Sequence, residues 1–200
     1  METHLQRRLI EQTANAVIAH ADELTVLDQA IGDGDHGLNM RRGALAVLEQ
    51  LDDLAGRPLP DALKAAGQTL VMKVGGASGP LYGTLLMTLG KAMPIAPERN
   101  DVIRAVGAAI EAVKKIGRSD VGQKTMLDVW SPVHEELVSG GPDVLDRVRT
   151  RAAKAADATV PMKAIKGRAS FLGERSIGHM DPGARSSSLM IAAACNAMEQ

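Results

Sequence analysis

Apolar residues recur along this chain at three- and four-residue spacing, the period that places them on one face of an α-helix. Ala, Leu and Met supply most of these positions, while Phe, Trp and Tyr, which favour strands, occur once each. The pattern predicts an all-α fold. Its eight helical segments are Thr3 to Leu24, Gly37 to Leu51, Pro60 to Lys73, Gly79 to Met93, Glu98 to Ile116, Gln123 to Val138, Pro142 to Thr159 and Gly183 to Met198.

Proline and aspartate positions support these boundaries. Pro60, Pro142 and Pro182 fall where the first turn of a helix accepts proline, because that turn has no partner for the missing N–H. Asp181 precedes Pro182 and is a suitable N-cap residue. The positions of these proline and aspartate residues therefore agree with the helix boundaries predicted from the hydrophobic periodicity.

The order of the connections predicts where polar residues meet. Short connections make successive helices antiparallel neighbours, so the first, third, fifth and seventh connections emerge at the same end. That end carries the aspartates after the first helix and the stretches Lys73 to Pro80, Gly117 to Thr125 and Met162 to Gly183. We therefore predict an antiparallel helical assembly with its chemistry at one end.

Composition and charge narrow the class of protein. The 200 residues, 45% of them apolar, are enough for one hydrophobic core, and we predict a single domain over residues 1–200. A net charge of −1 and 2% aromatic residues argue against nucleic-acid binding. Cys195 is the only cysteine, so a disulfide framework and a thiolate metal site are excluded. Without a signal peptide or an apolar run near the roughly 20 residues that span a bilayer, we expect a soluble, cytoplasmic protein.

Three aspartates, Asp28, Asp33 and Asp35, lie in the run LDQAIGDGDHGLN, which we interpret as one short loop. Converging carboxylates need cations, and hard oxygen donors favour Mg²⁺, which shares its remaining positions with a substrate phosphate. Three carboxylates with one divalent ion total −1 and repel phosphate, whereas two ions give +1 and attract it. We therefore predict two magnesium ions. The glycines that allow the sharp turns are Gly32, Gly34 and Gly37.

Two other interpretations of the aspartates need weighing. In a metal-free interpretation, Asp28 ends a helix, Asp33 forms a turn and Asp35 caps the next helix. An EF-hand loop fits less well, because the next alternating position is Gly37 and the later bidentate glutamate is missing.

The other connections at this end offer groups for phosphate. The run GGASG, from Gly75 to Gly79, opens the fourth helix, whose free N–H groups and dipole attract anions. A tight turn capped by Ser78 is the alternative. The seventh connection has no obvious helix or strand and a local excess of positive charge, which is typical of a functional loop. Within it Arg168 suits bidentate phosphate contacts, with a solvated surface cation as the alternative.

His36 follows the last aspartate and is able to donate a hydrogen bond to a phosphate. Asn39 lies three residues further on, one helical turn away on the same face. A surface histidine beside a helix cap is the alternative.

Four runs of this chain together resemble the DhaL family, the nucleotide-binding subunits of bacterial dihydroxyacetone kinases. The runs are IGDGDHGLNM, GGASGPLYGT, KTMLDVW and KGRASFLGERSIGHMDPGA, and the resemblance extends from Asp28 to Ala184. It implies a barrel of eight antiparallel helices that binds ADP and two magnesium ions at one end, in a subunit separate from the substrate-binding chain.

The resemblance also implies roles for individual residues. Asp28, Asp33 and Asp35 would hold the metal ions. Arg168 and His36 are the expected catalytic residues, with Arg168 offsetting charge that develops on the transferred phosphoryl group. The residues expected around the nucleotide are His36, Gly37, Leu38, Asn39, Ala77, Ser78, Gly117, Met126, Arg168, Asp181, Pro182 and Gly183.

The resemblance further implies partners. A DhaK-type subunit would hold dihydroxyacetone on its own histidine and receive the terminal phosphoryl group across the interface. The donor is either a DhaM-type phosphohistidine protein, which rephosphorylates bound ADP, or free ATP. Related kinases act on other small ketoses or tetritols, and some relatives report their ADP state to a transcription regulator. The acceptor, the donor and the oligomeric state, including a homodimer, stay open, as does a helical protein that uses these loops only as turns.

Overall fold

The computed structural model describes residues 3–199. These residues form α-helices and one 3-10 helical segment, and no strand occurs among them. The α-helices are α1 (Thr3–Ala19), α2 (Ala21–Ile31), α3 (His36–Leu48), α4 (Leu51–Gly56), α5 (Leu59–Lys73), α6 (Ser78–Ala92), α7 (Arg99–Gly117), α8 (Leu127–Ser139), α9 (Val144–Asp157) and α10 (Pro182–Glu199), and the 3-10 segment is Arg168–Ser176. The predicted domain, 1–200, also includes residues 1, 2 and 200, which lie outside the described residues.

The long helices pack in a closed ring. Helix α1 contacts α3, α3 contacts α5, and from α5 to α10 each helix packs against the next. Helix α10 then returns to α1 and closes the ring, while α2 continues α1 and packs against α3. The predicted all-α barrel is therefore confirmed, with the first of its eight segments divided into α1 and α2 and with α4 as an additional short helix.

Several predicted boundaries are confirmed by local contacts. Pro60 lies in the first turn of α5, and Pro182 begins α10. The Ala184 N–H donates to Asp181 Oδ2 at 2.7 Å, which makes Asp181 the N-cap of α10. Glu98 caps α7 in a capping box with Asp101. Pro142 was expected inside the first turn of α9, but it precedes the N-cap residue Asp143.

The first predicted helix was too short. The helix is interrupted at His20 and continues as α2 to Ile31. Asp28 therefore lies on a helix and not in the loop where we expected it. Leu24, Asp28 and Ile31 are all buried, because the inward-facing period of this helix continues to its end. Because Asp28 is polar but occupies a buried position, the hydrophobic pattern did not indicate the last two turns of α2.

Backbone geometry explains the other differences. Helix α8 begins at Leu127 rather than Gln123, because Gly122 and Lys124 have φ of +86° and +62°, which a right-handed helix does not accept. The short helix α4 lies mostly in the connection between the second and third predicted segments. The seventh connection, expected to lack regular structure, contains the 3-10 segment, which is interrupted at Gly173 with φ of +57°.

Two apolar clusters fill the ring. The larger joins α1, α3, α5, α6 and α7, and the smaller joins α8, α9 and α10 and includes Cys195. Trp130 packs against both clusters and so links the two halves of the ring. No helix between residues 3 and 199 combines the length and the apolar character needed to span a bilayer.

Candidate functional site

One pocket lies where the first, third, fifth and seventh connections between the eight predicted segments meet. Its walls come from the α2–α3, α5–α6, α7–α8 and α9–α10 connections and from the helix ends beside them. The prediction that these connections share one end is therefore confirmed. The lining residues are Asp28, Ile31, Asp33, Asp35, His36, Gly75, Gly76, Ala77, Ser78, Leu81, Tyr82, Lys124, Thr125, Met126, Lys166, Gly167, Arg168, Ala169, Asp181, Pro182 and Gly183.

The three predicted metal ligands converge. One carboxylate oxygen from each of Asp28, Asp33 and Asp35 lies within 4.8 Å of the others. Asp28 is buried in the last turn of α2, and its Oδ2 accepts the Asp35 N–H at 2.9 Å and the His36 N–H at 3.1 Å. Asp28 thus also caps the first turn of α3, which fixes the loop between the helices.

Glycine is required beside Asp28. A Cβ atom on Gly32 would lie 2.1 Å from Asp28 Oδ1, so any side chain there would displace the carboxylate. Gly34 has φ of +77°, which supplies the left-handed turn between Asp33 and Asp35. Gly37 has a different function from the turn we expected, because it lies inside α3 where that helix approaches α2.

Arg168 already contacts this cluster. Its Nη1 lies 3.0 Å from Asp33 Oδ2, and both side chains are substantially exposed. The cation of the long connection and the acidic cluster, which lie far apart in sequence, therefore face each other across the pocket mouth. An exposed pair of this kind contributes about 1 kcal/mol or less, so it separates readily.

His36 lies at the base of the pocket between two serines. Its Nδ1 is 3.0 Å from Ser78 Oγ and its Nε2 is 3.0 Å from Ser186 Oγ. Burial lowers the pKa of His36, and the charges of Asp28 and Asp35 oppose this effect only in part. The ring is therefore neutral at neutral pH, with one nitrogen donating and the other accepting.

A buried polar network continues from His36 into the core. The Tyr82 hydroxyl donates to the Gly183 carbonyl at 2.9 Å, and its oxygen lies 2.8 Å from each of Ser186 Oγ and Ser187 Oγ. Trp130 Nε1–H donates to Ser187 Oγ at 3.1 Å. Burial raises the pKa of Tyr82 well above its usual range, so the hydroxyl keeps its proton. The network ties the start of α10 to α6, α8 and His36.

Asp128 shapes the α7–α8 connection. Its carboxylate accepts the Gly122 N–H and, at 2.7 Å, the Thr125 N–H. These bonds stabilise the turn that carries Lys124, whose side chain is only 1% exposed. The turn places Lys124, Thr125 and Met126 on the pocket wall.

Asp181 caps α10 from a buried position that disfavours the charged form of its carboxyl group. Burial raises its pKa to about 7, and the charges of Asp128 and Asp28 add to this increase. The Ala184 N–H and the Lys124 ammonium act in the opposite direction. Near neutral pH, Asp181 is therefore partly protonated.

Asp181→Asn is expected to stabilise the protein at pH 8 more than at pH 5. Because the folded-state pKa of about 7 exceeds the ordinary value of 3.8, the folded state loses stability as the pH rises through this interval. Asparagine retains an oxygen for the Ala184 N–H but cannot ionise. The gain should grow by about 2–3 kcal/mol between the two pH values, or roughly 5–10 °C in Tm. Thermal unfolding in EDTA measures it.

Asp120→Asn is the matched control for this effect. A hydrogen bond from Lys114 lowers the pKa of Asp120, so its replacement should bring no gain at pH 8. An equal gain in stability for both variants, or a pH-independent gain for Asp181→Asn, would contradict a raised pKa of Asp181 in the folded state.

Most of the predicted nucleotide-binding residues line the pocket. These are His36, Ala77, Ser78, Met126, Arg168, Asp181, Pro182 and Gly183. Four others lie outside the lining. A Cβ on Gly37 would meet α2, Leu38 is exposed on the outer face of α3, the Asn39 amide oxygen accepts a hydrogen bond from Arg42, and Gly117 ends α7 beside Leu81.

Several buried residues at or next to the pocket were not predicted. Tyr82 and Lys124 line the pocket and Asp128 stabilises its α7–α8 connection, but nothing in the sequence runs that contain them indicates that these side chains are buried. Ser186, Ser187 and Ser188 form a polar run inside an otherwise apolar helix, and this pattern was an available signal for a buried polar network.

Comparisons with known proteins identify relatives of this chain. Residues 30–196 match the DAK2 domain family. Over 168 residues the chain is 47% identical to the ADP-binding subunit DhaL of PEP-dependent dihydroxyacetone kinase 1 from Listeria innocua, covering 84% of this chain and 82% of that protein. It is 42% identical to the corresponding DhaL subunit of Escherichia coli over 179 residues, covering 86% and 85% of the two chains.

This chain belongs to the DhaL family. The resemblance based on four sequence runs is thus confirmed, as is the expected class of phosphotransferase, because these relatives are dihydroxyacetone kinase subunits.

A solved structure supports the fold. The dihydroxyacetone kinase of C. freundii superposes with a TM-score of 0.80 at 23% sequence identity. The match covers 98% of this DhaL-family chain and 34% of the kinase, so it corresponds to about a third of that longer protein.

Proposed function

We propose that this chain is the ADP-binding subunit of a multicomponent dihydroxyacetone kinase, working as one domain. It would hold ADP or ATP with two magnesium ions and pass the terminal phosphoryl group to dihydroxyacetone, or a related small ketose, on a DhaK-type partner. The observation that carries this proposal is the convergence of Asp28, Asp33 and Asp35 beside the start of α6 in one pocket. The L. innocua and E. coli relatives, both ADP-binding subunits, support it.

The acidic cluster suits magnesium. Its donors are carboxylate oxygens close enough to share ions, and Mg²⁺ prefers such ligands. Bound divalent ions would neutralise phosphate charge and leave the cluster with a net charge of +1 if two are present. Asp28 accepts the N–H groups of Asp35 and His36, which fixes the backbone that carries the Asp35 carboxylate.

Among the helix starts at the pocket, α6 is the one best suited to phosphate. The N–H groups at the start of α3 donate to Asp28, that of Ala184 in α10 donates to Asp181, and that of Leu127 in α8 donates to Thr125 Oγ1. Helix α6 has no side-chain cap, and Gly76 and Ala77 are exposed just before it. Its N–H groups and helix dipole therefore face the pocket with no side chain satisfying them.

Arg168 and His36 would have different roles in phosphoryl transfer. With divalent ions held by Asp33, the Arg168 guanidinium would be released to contact phosphate oxygens and to offset charge in the transition state. His36 has both ring nitrogens engaged by serines, so it reaches a phosphate only if Ser78 turns away. We therefore keep Arg168 as the proposed catalytic residue and propose that His36 mainly orients Ser78.

The phosphoryl donor is a further part of the proposal. A DhaM-type phosphohistidine protein would rephosphorylate ADP in place, in agreement with the PEP-dependent relatives. Free ATP, an acceptor other than dihydroxyacetone, a nucleotide-sensing role with a transcription regulator, and a homodimer are the alternatives. A cytoplasmic location stays a prediction.

Reconstitution tests the proposal. The purified chain alone should bind ADP in a magnesium-dependent manner and phosphorylate nothing. Adding a DhaK-type subunit, dihydroxyacetone and a phosphoryl donor should start turnover, measured as dihydroxyacetone phosphate formed. Binding to a transcription regulator without turnover would favour the sensing role. Absence of magnesium-dependent ADP binding in calorimetry would contradict both.

A further inference from the structure

The long α9–α10 connection doubles back on itself beside the pocket. The Gly178 N–H donates to the Val160 carbonyl at 2.9 Å, and the Ala164 N–H donates to Ser176 Oγ at 2.9 Å. Residues 163–175, which we call the Arg168 loop, project from the neck that these bonds close. The position of Arg168 at the pocket mouth depends on how this loop is anchored.

Lys124 is inserted into the neck. Its ammonium donates to the Met162 carbonyl at 2.9 Å and to the Ser176 carbonyl at 2.6 Å. These bonds join the segment that enters the loop to the segment that leaves it. Ser176 Oγ also donates to the Gly173 carbonyl at 2.7 Å, and the Ile165 N–H donates to Gln123 O at 3.3 Å. The α7–α8 connection therefore contacts the loop through both side chain and backbone.

The surroundings of Lys124 are unusual for a lysine. The residue is 1% exposed, although lysine is rarely fully buried, and the acidic group whose charge acts on it is the buried carboxyl of Asp181. Both hydrogen-bond acceptors are backbone carbonyls, and the residue has φ of +62°, a left-handed conformation that non-glycine residues seldom adopt. Burial lowers the pKa of Lys124 and the charge of Asp181 opposes this effect only in part, which agrees with the cost of keeping a cation here. A feature this unfavourable needs a compensating use.

We propose that Lys124 is a positioning residue that holds the Arg168 loop so that the Arg168 guanidinium lies over the acidic cluster and the phosphate position. This proposal rests on the proposed function, since it concerns how the same pocket binds nucleotide. The loop has a second contact, because Ala169 packs with Ile31 and Ala164 against α2. Lys124 fixes the neck, and this apolar contact fixes the middle of the loop.

A double-mutant cycle tests the proposal through Arg168. We would measure Mg·ADP affinity by calorimetry for the wild type, Lys124→Met, Arg168→Ala and the double variant. Each single variant should lose about tenfold in affinity, a typical effect of a supporting contact. The double variant should be no more than about twofold weaker than Arg168→Ala, because a loop without the guanidinium has nothing left to position.

Additive losses in the cycle would overturn the proposal, because Lys124 would then act on the nucleotide directly or through the whole fold. Wild-type affinity in Lys124→Met or in Arg168→Ala would also overturn it. If the wild type itself fails to bind Mg·ADP, the proposed function fails instead, so the two failures are distinguishable. Lys91→Met, at an exposed lysine in the last turn of α6, is the matched control and should bind as the wild type does.

Hydrogen exchange and a second variant keep the test decisive if Lys124→Met folds poorly. In Lys124→Met, amides of residues 163–175 should exchange faster, while those of α5 and α6 keep their protection. Ser176→Ala removes the bonds to Ala164 and Gly173 without altering Lys124, and it should give the same Arg168-dependent loss. Unchanged exchange in the loop, or a loss in Ser176→Ala that persists without Arg168, would count against Lys124 acting at the neck.

Discussion

Asp33→Asn is expected to reduce magnesium-dependent ADP affinity by about 100-fold, a change of roughly 2.7 kcal/mol in binding free energy. The substitution removes one of the three converging carboxylates while keeping the size of the side chain. With one fewer ligand charge, the proposed site would hold divalent ions less tightly, and a bound diphosphate would lose part of its attachment to the protein. Calorimetric titration with ADP at fixed Mg²⁺ measures the loss.

In EDTA, the same substitution should not reduce the affinity for ADP. Without metal ions, Asp33 repels phosphate and pairs with Arg168 at 3.0 Å, so its neutralisation should leave ADP affinity unchanged or increase it. Asp22→Asn removes an equal charge from an exposed position at the start of α2 and is the matched control. Equal losses with and without magnesium would show that Asp33 supports the fold and does not hold an ion.

Gly37→Ala is expected to lower Tm by about 10 °C, the effect of a destabilisation of ~3 kcal/mol in a chain of this size. A Cβ at this position would lie 1.9 Å from the Ala21 carbonyl oxygen and 2.7 Å from the Thr25 nitrogen. Both contacts are with backbone, so a rotamer change cannot relieve them and α3 must move away from α2. That movement would also withdraw the Asp28 carboxylate from the Asp35 and His36 N–H groups.

Gly56→Ala is the matched control for this effect. A Cβ on Gly56 meets nothing within 4 Å, so the substitution should leave Tm unchanged or raise it slightly. Thermal unfolding of both variants without ligand separates a specific helix contact from a general cost of replacing glycine. A Gly37→Ala variant that melts within about 2 °C of the wild type would contradict the close approach of α2 and α3.

Much of this architecture follows from local sequence patterns. Helical periodicity and the proline and glycine positions predict the helices, and the alternation of ends then places the aspartate run, the GGASG run and the α9–α10 connection together. The grouping of Asp28, Asp33 and Asp35 was predictable because they are close in sequence and separated by glycines. The N-cap role of Asp181 was predictable for the same reason, since an N-cap depends on its immediate neighbours.

The rest of the site depends on contacts between distant parts of the chain. The His36 network joins Ser78 and Ser186, and Lys124 contacts Met162 and Ser176, pairs that no local pattern connects. The end of α2 was misassigned because Asp28 is a polar residue at a buried helical position, and burial is a property of the folded ring. Gly37 resembled a turn residue for a similar reason, since the carbonyl it makes room for belongs to another helix.

The Arg168–Asp33 pair has a consequence for how cofactors enter and leave. In the proposed function, this salt bridge occupies groups that would bind metal and nucleotide, so each ligand that arrives would release a partner for the other. Linkage makes this effect reciprocal: magnesium and ADP should bind with positive cooperativity, and loss of an ion should shorten the residence time of the nucleotide. Whether ADP behaves as a permanent coenzyme or as an exchanging product would then depend on free magnesium in the cell.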